Sequence, residues 1–519
     1  MTTDTRPPTD SGRGRRRERA TLLAATLTNG PNELLDFLLP LWAGAAIGLS
    51  ATETGILLAV ELALSLLVRP LAGVLADTRD RRRVAAAGAA LYAASAAGYA
   101  VATGPLSACL AAALGGIGGA LLWVTISAIV SERLAEDSAV FPRLFAAQET
   151  GSWAAFVPGL ALLPGIDYAG VFLLCSAACL VAAVLLLRAP AGPPPAPVPD
   201  TAPVPAPDTA PVPGTGIAAI GRRLRPMLLA VALTMTAEAT LSLLLLLHLQ
   251  REHGLDALTI ALVFLPGAIA MSLAAEPLHR YVVRFGRSRV LAAAALSGAA
   301  FATGLALVPN PYAIAALWIL SGLSWAAVMP IQQAVIAEAS GPHTGRGMGV
   351  YESAGLFGAL LGALAAGLLY DRADWTVCCL IAAGVLASGA VISPAALRRL
   401  GVSDLPPAPA PQPEPAAPTQ EAEPEPEPEP APGPRALARA LALRVTLFAL
   451  AQLALLAAGL SWIQDLFTED LLATLNGGHR DGDVARWIYG AGKIWTYLVL
   501  ADILWTGWKL LRARDRPGP

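Results

Sequence analysis

The chain has 519 residues, of which 55% are hydrophobic and only 14% are charged. A soluble globular protein carries roughly 25% charged residues, so the composition excludes an ordinary soluble domain. The formal net charge of −2 gives no indication of a nucleic-acid partner. Because long apolar runs recur along most of the sequence, we predict an all-α polytopic membrane protein.

The chain opens on a polar, arginine-rich segment, residues 1–19, ahead of the first apolar run. We expect this segment to be a basic cytoplasmic flank rather than a cleaved signal peptide. At about 20 apolar residues per transmembrane helix, twelve candidate spans follow. They centre near residues 22–47, 53–76, 84–103, 107–131, 144–165, 167–188, 226–249, 258–283, 289–308, 311–337, 347–370 and 375–397.

Two proline-rich tracts separate the spans into three groups. Both tracts are expected to be extended and unpacked, because such sequences favour the polyproline II conformation. The predicted order is an N-terminal six-helix bundle, a cytoplasmic linker, a C-terminal six-helix bundle, a second cytoplasmic linker and a two-helix membrane hairpin of unassigned role. These parts cover residues 20–188, 189–221, 222–400, 401–434 and 435–519, with hairpin spans near 437–462 and 487–511.

Arginines predict the orientation of the chain. They cluster in the loops after spans 2, 4, 6, 8 and 12 and just before span 11, whereas the opposite loops are nearly bare except for Arg251 and Arg372. Cytoplasmic loops carry the excess of basic residues in membrane proteins. We therefore expect both termini and both linkers to lie in the cytoplasm, with the spans in the cell (plasma or inner) membrane.

Three stretches of the first half have counterparts in the second half, in the same order. VRPLAGVLADTRDRRRV at 68–84 corresponds in placement to AEPLHRYVVRFGRSRV at 275–290. LGGIGGALLWVTISAIVSE at 114–132 aligns with LSGLSWAAVMPIQQAVIAE at 320–338, and ETGSWAAFVPGLALLPG at 149–165 aligns with ESAGLFGALLGALAAGL at 352–368. The offsets of 203 to 207 residues predict duplicated halves around a midplane site, as in many secondary transporters.

The twelve-span pattern, the long central loop and GVLADTRDRRR after span 2 together resemble the major facilitator superfamily over about residues 20–400. The family's loop signature is matched by Gly73, Asp77, Arg79, Arg81 and Arg82, although Thr78 stands where a basic residue is usual and Asp80 replaces the second glycine. The resemblance implies two pseudo-symmetric six-helix bundles that rock about a central cavity. It also implies that this loop latches the outward-facing state. The C-terminal hairpin has no counterpart in a standard twelve-helix member.

Two further family patterns are incomplete in this chain. CLAAALGGIGGALLW in span 4 has glycines but lacks the arginine that proton-coupled members often carry there. FVPGLALLPG in span 5 has Pro158 and Gly159 but only part of the Gly-Pro-x-x-Gly-Gly pattern of drug exporters. The sequence therefore leaves proton coupling and the direction of transport open.

The first span carries a polar face within TNGPNELLDFLLPLW, residues 28–42. Four residues have the spacing i, i+3, i+4 and i+7, which places them on one side of a helix: Asn29, Asn32, Glu33 and Asp36. A charge near mid-membrane costs roughly 2.5–3.5 kcal/mol, so two acids about one turn apart indicate water, polar partners or protons beside them. We predict that this face borders a water-filled pathway for substrate and protons.

Spans 5, 7, 10 and 11 contribute further polar residues that we predict for the same pathway: Gln148, Glu149, Glu238, Gln332, Gln333 and Glu352. In the family fold these helices line the cavity, which agrees with the absence of charged residues inside spans 3, 6, 9 and 12. Alternative interpretations stay open: the helix could break at NGP, the two glutamines could tie helices together, and Glu149 and Glu352 could face the cytoplasm. Most Trp residues are interpreted as interfacial anchors, with Trp123 and Trp325 as candidates for the cavity wall.

These features predict a secondary transporter of a small organic solute, an exporter of drug-like or amphipathic compounds with protons as the candidate coupling ion. The alternatives are an importer of a small metabolite and a non-transporting membrane sensor or scaffold. The sequence contains no HExxH, P-loop or nucleophile elbow, so we predict that it is not an enzyme. Its five cysteines lie in apolar runs without zinc-site spacing, so no metal or cofactor is predicted. The expected partners are the substrate and the lipid bilayer, and the oligomeric state is left open.

Overall fold

The computed structural model describes residues 10–192, 216–255, 257–308, 310–370 and 372–407, and the single positions 441, 445, 448, 452, 456, 496, 499 and 506. All regular structure within these residues is helical. The chain divides into two compact units, one of Met1–Gly159 with Tyr168–Ala410 and one of Leu160–Asp167 with Pro411–Pro519. Apart from the single positions, the predicted hairpin lies outside the described residues, as does most of both predicted linkers.

Eleven α-helices are present in the described segments. They are α1 (Asp10–Ala45), α2 (Ala51–Thr78), α3 (Arg81–Val101), α4 (Pro105–Ser131), α5 (Val140–Arg188), α6 (Ile217–Arg251), α7 (Ala257–Phe285), α8 (Arg287–Leu307), α9 (Pro311–Ser340), α10 (Thr344–Tyr370) and α11 (Trp375–Leu400). A 3-10 turn at Gly341–His343 joins α9 to α10. We call α1–α5 the N-terminal half and α6–α11 the C-terminal half.

Helix α5 is 49 residues long because it contains predicted spans 5 and 6. Asp167 lies between the two spans with φ 56° and ψ 175°, outside the helical region, and so interrupts the helix there. Eight helical segments of the described residues are long and apolar enough to cross a membrane. The all-helical prediction is therefore confirmed, whereas the count of twelve spans stays a prediction.

Two helices cross boundaries that the sequence predicted. Helix α1 begins at Asp10 and so runs through the predicted boundary between residues 19 and 20, while α6 begins at Ile217, ahead of residue 222. Helix α1 also continues through Asn29, Gly30 and Pro31, so the alternative of a helix broken at NGP is wrong. A proline inside a membrane helix is tolerated where neighbouring groups satisfy the freed backbone.

The two halves repeat one another element by element. Helices α3 and α8 have 21 residues each and begin with Arg81 and Arg287. Helices α4 and α9 both begin with a proline, Pro105 and Pro311, which suits the first helical turn because proline lacks the N–H that would be unpaired there. Both pairs of helices start 206 residues apart, as the alignment of span 4 with span 10 predicts.

The register of α5 against α10 differs from the sequence alignment by one helical turn. Gly151 of α5 lies against the carbonyl group of Thr26 in α1, and Gly358 of α10 lies against that of Ala232 in α6. These contacts relate the helices by offsets of 206 and 207 residues, not by the 203 of the aligned stretches. Glycine and alanine recur every fourth residue here, so a shift of one turn leaves the sequence match almost unchanged.

Small residues bring α3 and α4 into backbone contact and so position the side chains beside them. A Cβ atom on Gly88 would lie 2.6 Å from the backbone nitrogen of Leu122, and one on Gly118 would lie 2.9 Å from the carbonyl oxygen of Gly88. Such residues are enriched where membrane helices cross closely, because van der Waals packing holds those helices together. This crossing places Tyr92 and Tyr99 of α3 within hydrogen-bonding distance of polar residues on α1 and α2.

Candidate functional site

The polar face of α1 is divided between two environments. Asn29 is buried, and its side-chain amide donates hydrogen bonds to the backbone oxygen of Gln148 (3.0 Å) and the hydroxyl of Ser152 (2.7 Å). Asn29 therefore ties α1 to α5 rather than lining open space. Glu33 and Asp36, in contrast, have exposed side chains.

Asn32 connects the exposed acids to the core of the N-terminal half. The hydroxyl of Tyr92 in α3 donates to the Asn32 side-chain oxygen. The Asn32 amide in turn lies 3.4 Å from a carboxylate oxygen of Asp36. Because Tyr92 is buried, this chain of contacts orients Asp36 from within the bundle.

Each exposed acid of α1 interacts with a second acid on a neighbouring helix. Glu33 interacts electrostatically with Glu149 of α5, and Asp36 interacts with Glu61 of α2. Within the described part of the chain, none of these four carboxylates forms an ion pair. Neighbouring carboxylates without a basic partner can be neutralised by a proton or by a cationic ligand.

Glu61 is a site residue that the sequence analysis did not identify. The hydroxyl of Tyr99 donates to its carboxylate across 3.2 Å. A Cβ atom on Gly115 of α4 would lie only 2.9 Å from the other carboxylate oxygen, so the glycine leaves room for this group. The signal was present in the sequence, since Glu61 is an acid in the interior of predicted span 2.

An ion pair connects the two halves through α2 and α10. Arg69 of α2 pairs with Glu352 of α10, and Arg69 is only 8% exposed. Arg69 also donates to the hydroxyl of Ser65 across 3.3 Å. Glu352 was predicted for the pathway, whereas Arg69, which lies within predicted span 2, was not identified.

Asp77 joins the same two helices at their arginine-rich end. Its carboxylate accepts hydrogen bonds from the backbone N–H groups of Gly345 (2.7 Å) and Arg346 (3.1 Å), in the first turn of α10. The guanidinium groups of Arg81 and Arg346 lie 3.8 and 3.7 Å from it. A carboxylate at a helix N-terminus is stabilised by the helix dipole and by the unpaired N–H groups.

The other residues of the loop signature stay within the N-terminal half or allow close contact. Arg82 pairs with Asp80 (3.1 Å) and donates to the backbone oxygen of Ala189 (3.0 Å). Arg79 is exposed at the C-terminal end of α2. Gly73 lies against the backbone of α10, where a Cβ atom would be 2.5 Å from the carbonyl oxygen of Gly345.

Arg81 belongs to an ion pair that the repeat reproduces in the second half. Arg81 contacts Glu132 at 3.1 Å, and Arg287 contacts Glu338 at 2.5 Å. Both arginines begin a helix, and both acids follow 51 residues later. Burial raises the pKa of Glu132, which lies beyond the end of α4, and the charges of Arg17 and Arg81 act in the opposite direction.

Three predicted residues of the C-terminal half do not join the acids of α1. Gln332 and Gln333 of α9 are 1% and 3% exposed, and each has a buried side-chain atom without a hydrogen-bond partner among the described residues. Glu238 of α6 lines a cavity inside the C-terminal half. Their roles in transport stay predictions.

Gly73→Ala is expected to prevent close contact between α2 and α10. The added Cβ would meet backbone atoms of Gly345 and Arg346, which cannot rotate away as a side chain can. Overpacking of this kind costs about 1–3 kcal/mol, so thermal unfolding in detergent should shift down by several degrees. Gly55→Ala is the matched control, because Gly55 lies in the same helix with no atom within 4 Å. Equal unfolding temperatures for the two variants would contradict the contact.

The sequence matches the profile described as Major Facilitator Superfamily twice, over residues 21–280 and 227–477. The chain belongs to the Major Facilitator Superfamily. It is therefore a multi-pass membrane protein and a transporter of a small solute, not an enzyme, and the resemblance inferred from its loop signature is confirmed. The second match extends into the predicted hairpin, whose spans stay a prediction.

The fold is similar to that of a solved superfamily transporter. The crystal structure of the human organic anion transporter MFSD10 (TETRAN) matches with a TM-score of 0.59 and 19% sequence identity, covering 75% of this chain and 100% of the other. At this identity the likeness concerns the fold alone. Comparison with curated proteins gave no match.

Proposed function

We propose that this superfamily member exports amphipathic, drug-like compounds by alternating access. One observation carries the proposal: α2 and α10 are in backbone contact at the arginine-rich end, while Glu33 and Asp36 of α1 stay exposed. This is the arrangement expected of a transporter that is closed on the arginine-rich side and has an acidic face accessible for ligand. The positive-inside rule assigns the closed, arginine-rich side to the cytoplasmic face of the cell membrane.

Asp77 is the latch of this closed state in our proposal. Its contacts with the first turn of α10 exist only while the two halves are together at this end. The Arg69–Glu352 pair adds a second connection along the same helices. Export then requires that both connections break when the cytoplasmic side opens and re-form when the compound is released.

Protons are the proposed coupling ion, with Asp36 and Glu61 as their carriers. The two carboxylates interact with each other and form no ion pair among the described residues. Tyr99 and Asn32 supply hydrogen-bonding partners on either side of them. A shared site of this kind exchanges protons when it is open to water on alternate sides of the membrane.

Expression in an efflux-deficient bacterial host is expected to confer resistance to some members of a panel of toxic amphipathic compounds. Asp36→Asn, at matched membrane levels, should reduce that resistance to the level of the empty vector, because the amide cannot exchange the proton. Glu136→Gln is the control, since Glu136 is an exposed acid in a loop outside the site. The readout is growth inhibition for each compound.

Two results would redirect the proposal. If well-expressed wild-type protein conferred no resistance, export of toxic compounds would be wrong, and import of a small metabolite would be tested next by uptake. If Asp36→Asn gave full resistance, export would stand and the carboxylate would be removed from the mechanism.

A further inference from the structure

A cavity lies inside the C-terminal half, between α6, α8, α9 and α11. It holds about 610 Å³ of space free of protein atoms, part of it open to solvent. The wall is mostly aliphatic, with Phe301 and Trp325 as its aromatic members. Its polar members are Glu238, Thr234, Ser321, Ser324 and Ser393.

The internal repeat accounts for this space in the second half. The shared offset of 206 residues relates Tyr92 of α3 to Gly298 of α8, and Asn32 of α1 to Glu238 of α6. In the N-terminal half the Tyr92 ring lies between α3 and α4 and donates to Asn32. Gly298 has no side chain to fill the equivalent space, and the acceptor there is a carboxylate.

A second residue difference between the two halves accompanies the first, but it does not close the cavity. Gly119, against which Tyr92 packs in the N-terminal half, corresponds to Trp325 in the C-terminal half. The indole of Trp325 enters the space from α9 and interacts with Glu238, yet the cavity remains beside it. The aromatic side chain is therefore contributed by α3 in the N-terminal half and by α9 in the C-terminal half.

Glu238 has hydrogen-bonding partners but no partner of opposite charge in the described part of the chain. The Ser242 hydroxyl donates to its carboxylate across 3.2 Å, and Trp325 interacts with the same group. Glu238 lies in the interior of a 35-residue apolar helix, where an uncompensated charge is costly. A cation bound beside it would supply the missing charge.

We infer that this cavity binds an amphipathic organic cation, with an ammonium group at Glu238 and an apolar body against Phe301 and Trp325. Ser321 and Ser324 also line the cavity, and a hydroxyl oxygen is an acceptor for the remaining N–H groups of the ammonium. Aromatic rings attract such a cation through their π-electron faces. The inference rests on the proposed function, since it names the chemical class of the compound carried.

The test is calorimetric titration of the purified full-length protein in detergent with three probes that share one apolar body. They are 4-phenylbutylammonium, 4-phenylbutanol and 4-phenylbutyrate, which differ in charge. We expect binding of the ammonium compound and weakening by at least about tenfold in Glu238→Gln, because one partner of a desolvated charge pair is removed. Gly298→Leu should weaken binding similarly, because the side chain fills the cavity.

Gly384→Leu is the matched control for the filling variant, since Gly384 lies in α11 with no atom within 4 Å. It should bind the ammonium compound as the wild type does. Glu238→Gln keeps the size of the side chain, so the test of charge remains if Gly298→Leu does not fold, which size-exclusion chromatography would reveal.

Three outcomes would overturn the inference: no binding of the ammonium compound, equal binding of the alcohol, or unchanged binding in both variants. None of them would decide the proposed function, because resistance in cells is measured separately. Resistance without binding here would leave export intact and move the substrate to another part of the transporter. Binding at this cavity without resistance in cells would support the cation site and contradict the proposed export.

Discussion

Asp77→Asn is expected to open the arginine-rich end of the transporter and to reduce its transport rate strongly. The substitution removes the charge that accepts two backbone hydrogen bonds from the first turn of α10. A hydrogen bond to a charged group contributes about 1.5–3 kcal/mol, which corresponds to a roughly 10- to 100-fold shift between the closed and open states. A transporter that rarely closes on one side cannot complete its cycle.

Distance measurements between spin labels would detect this shift directly. Labels at Arg83→Cys and Pro342→Cys report the separation of the two halves, because both positions are exposed and lie on opposite sides of the contact. The five native cysteines would first be replaced by alanine. A longer distance in Asp77→Asn than in the wild type is the expected result.

Asp80→Asn is the matched control for the latch. Asp80 lies three residues away but serves its own half, since it caps α3 through the N–H of Arg82 (3.0 Å) and pairs with the Arg82 side chain. It should leave the distance between the labels unchanged. If both variants lengthened the distance equally, loss of negative charge in the loop, rather than the Asp77 contact, would be the cause.

Glu352→Gln is expected to destabilise the protein by about 3–5 kcal/mol, because it leaves the Arg69 charge buried without its partner. Arg69 is the more buried member of the pair, with a side chain 10% exposed against 20% for Glu352. Arg69→Met should therefore cost less than Glu352→Gln. The double variant should recover most of the loss, since neither charge then remains.

Thermal unfolding of the four proteins in detergent forms a double-mutant cycle that isolates the pair. Glu136→Gln is the control that shows how much stability is lost when an exposed ion pair is broken. Glu136 is 66% exposed and lies 3.3 Å from its partner Arg133. Such exposed pairs contribute about 0–1 kcal/mol. Additive effects of Arg69→Met and Glu352→Gln would show that the two side chains do not stabilise one another, and the proposed second connection between the halves would be lost.

Features that depend on local patterns were predicted well. The apolar runs predicted helices that the structure contains, because a backbone in lipid must satisfy its hydrogen bonds within the helix. The spacing of Asn29, Asn32, Glu33 and Asp36 predicted one helical face, and α1 is continuous through it. The repeat predicted duplicated halves, and the structure contains equivalent ion pairs at the starts of α3 and α8.

Features that depend on which helices meet were not predicted. The face of α1 divides because Asn29 points into α5, a contact that the sequence of α1 alone does not encode. Glu61 and Arg69 of α2 were not identified, because their partners lie on α3 and α10 and the sequence of α2 does not show that these helices meet it. The α5–α10 alignment shifted by one turn because glycine and alanine carry little information about register.

The sequence by itself determined the class of protein, its all-helical architecture, the duplicated halves and the family, because hydropathy, periodicity and loop motifs are properties of neighbouring residues. Only the tertiary structure decided that Asp77 reaches α10, that Arg69 neutralises Glu352, and that Glu238 borders a cavity where Tyr92 has no counterpart. The physical reason is that these contacts join residues 60 to 283 positions apart. Their energies depend on the distance and burial that packing creates, and a local pattern carries neither.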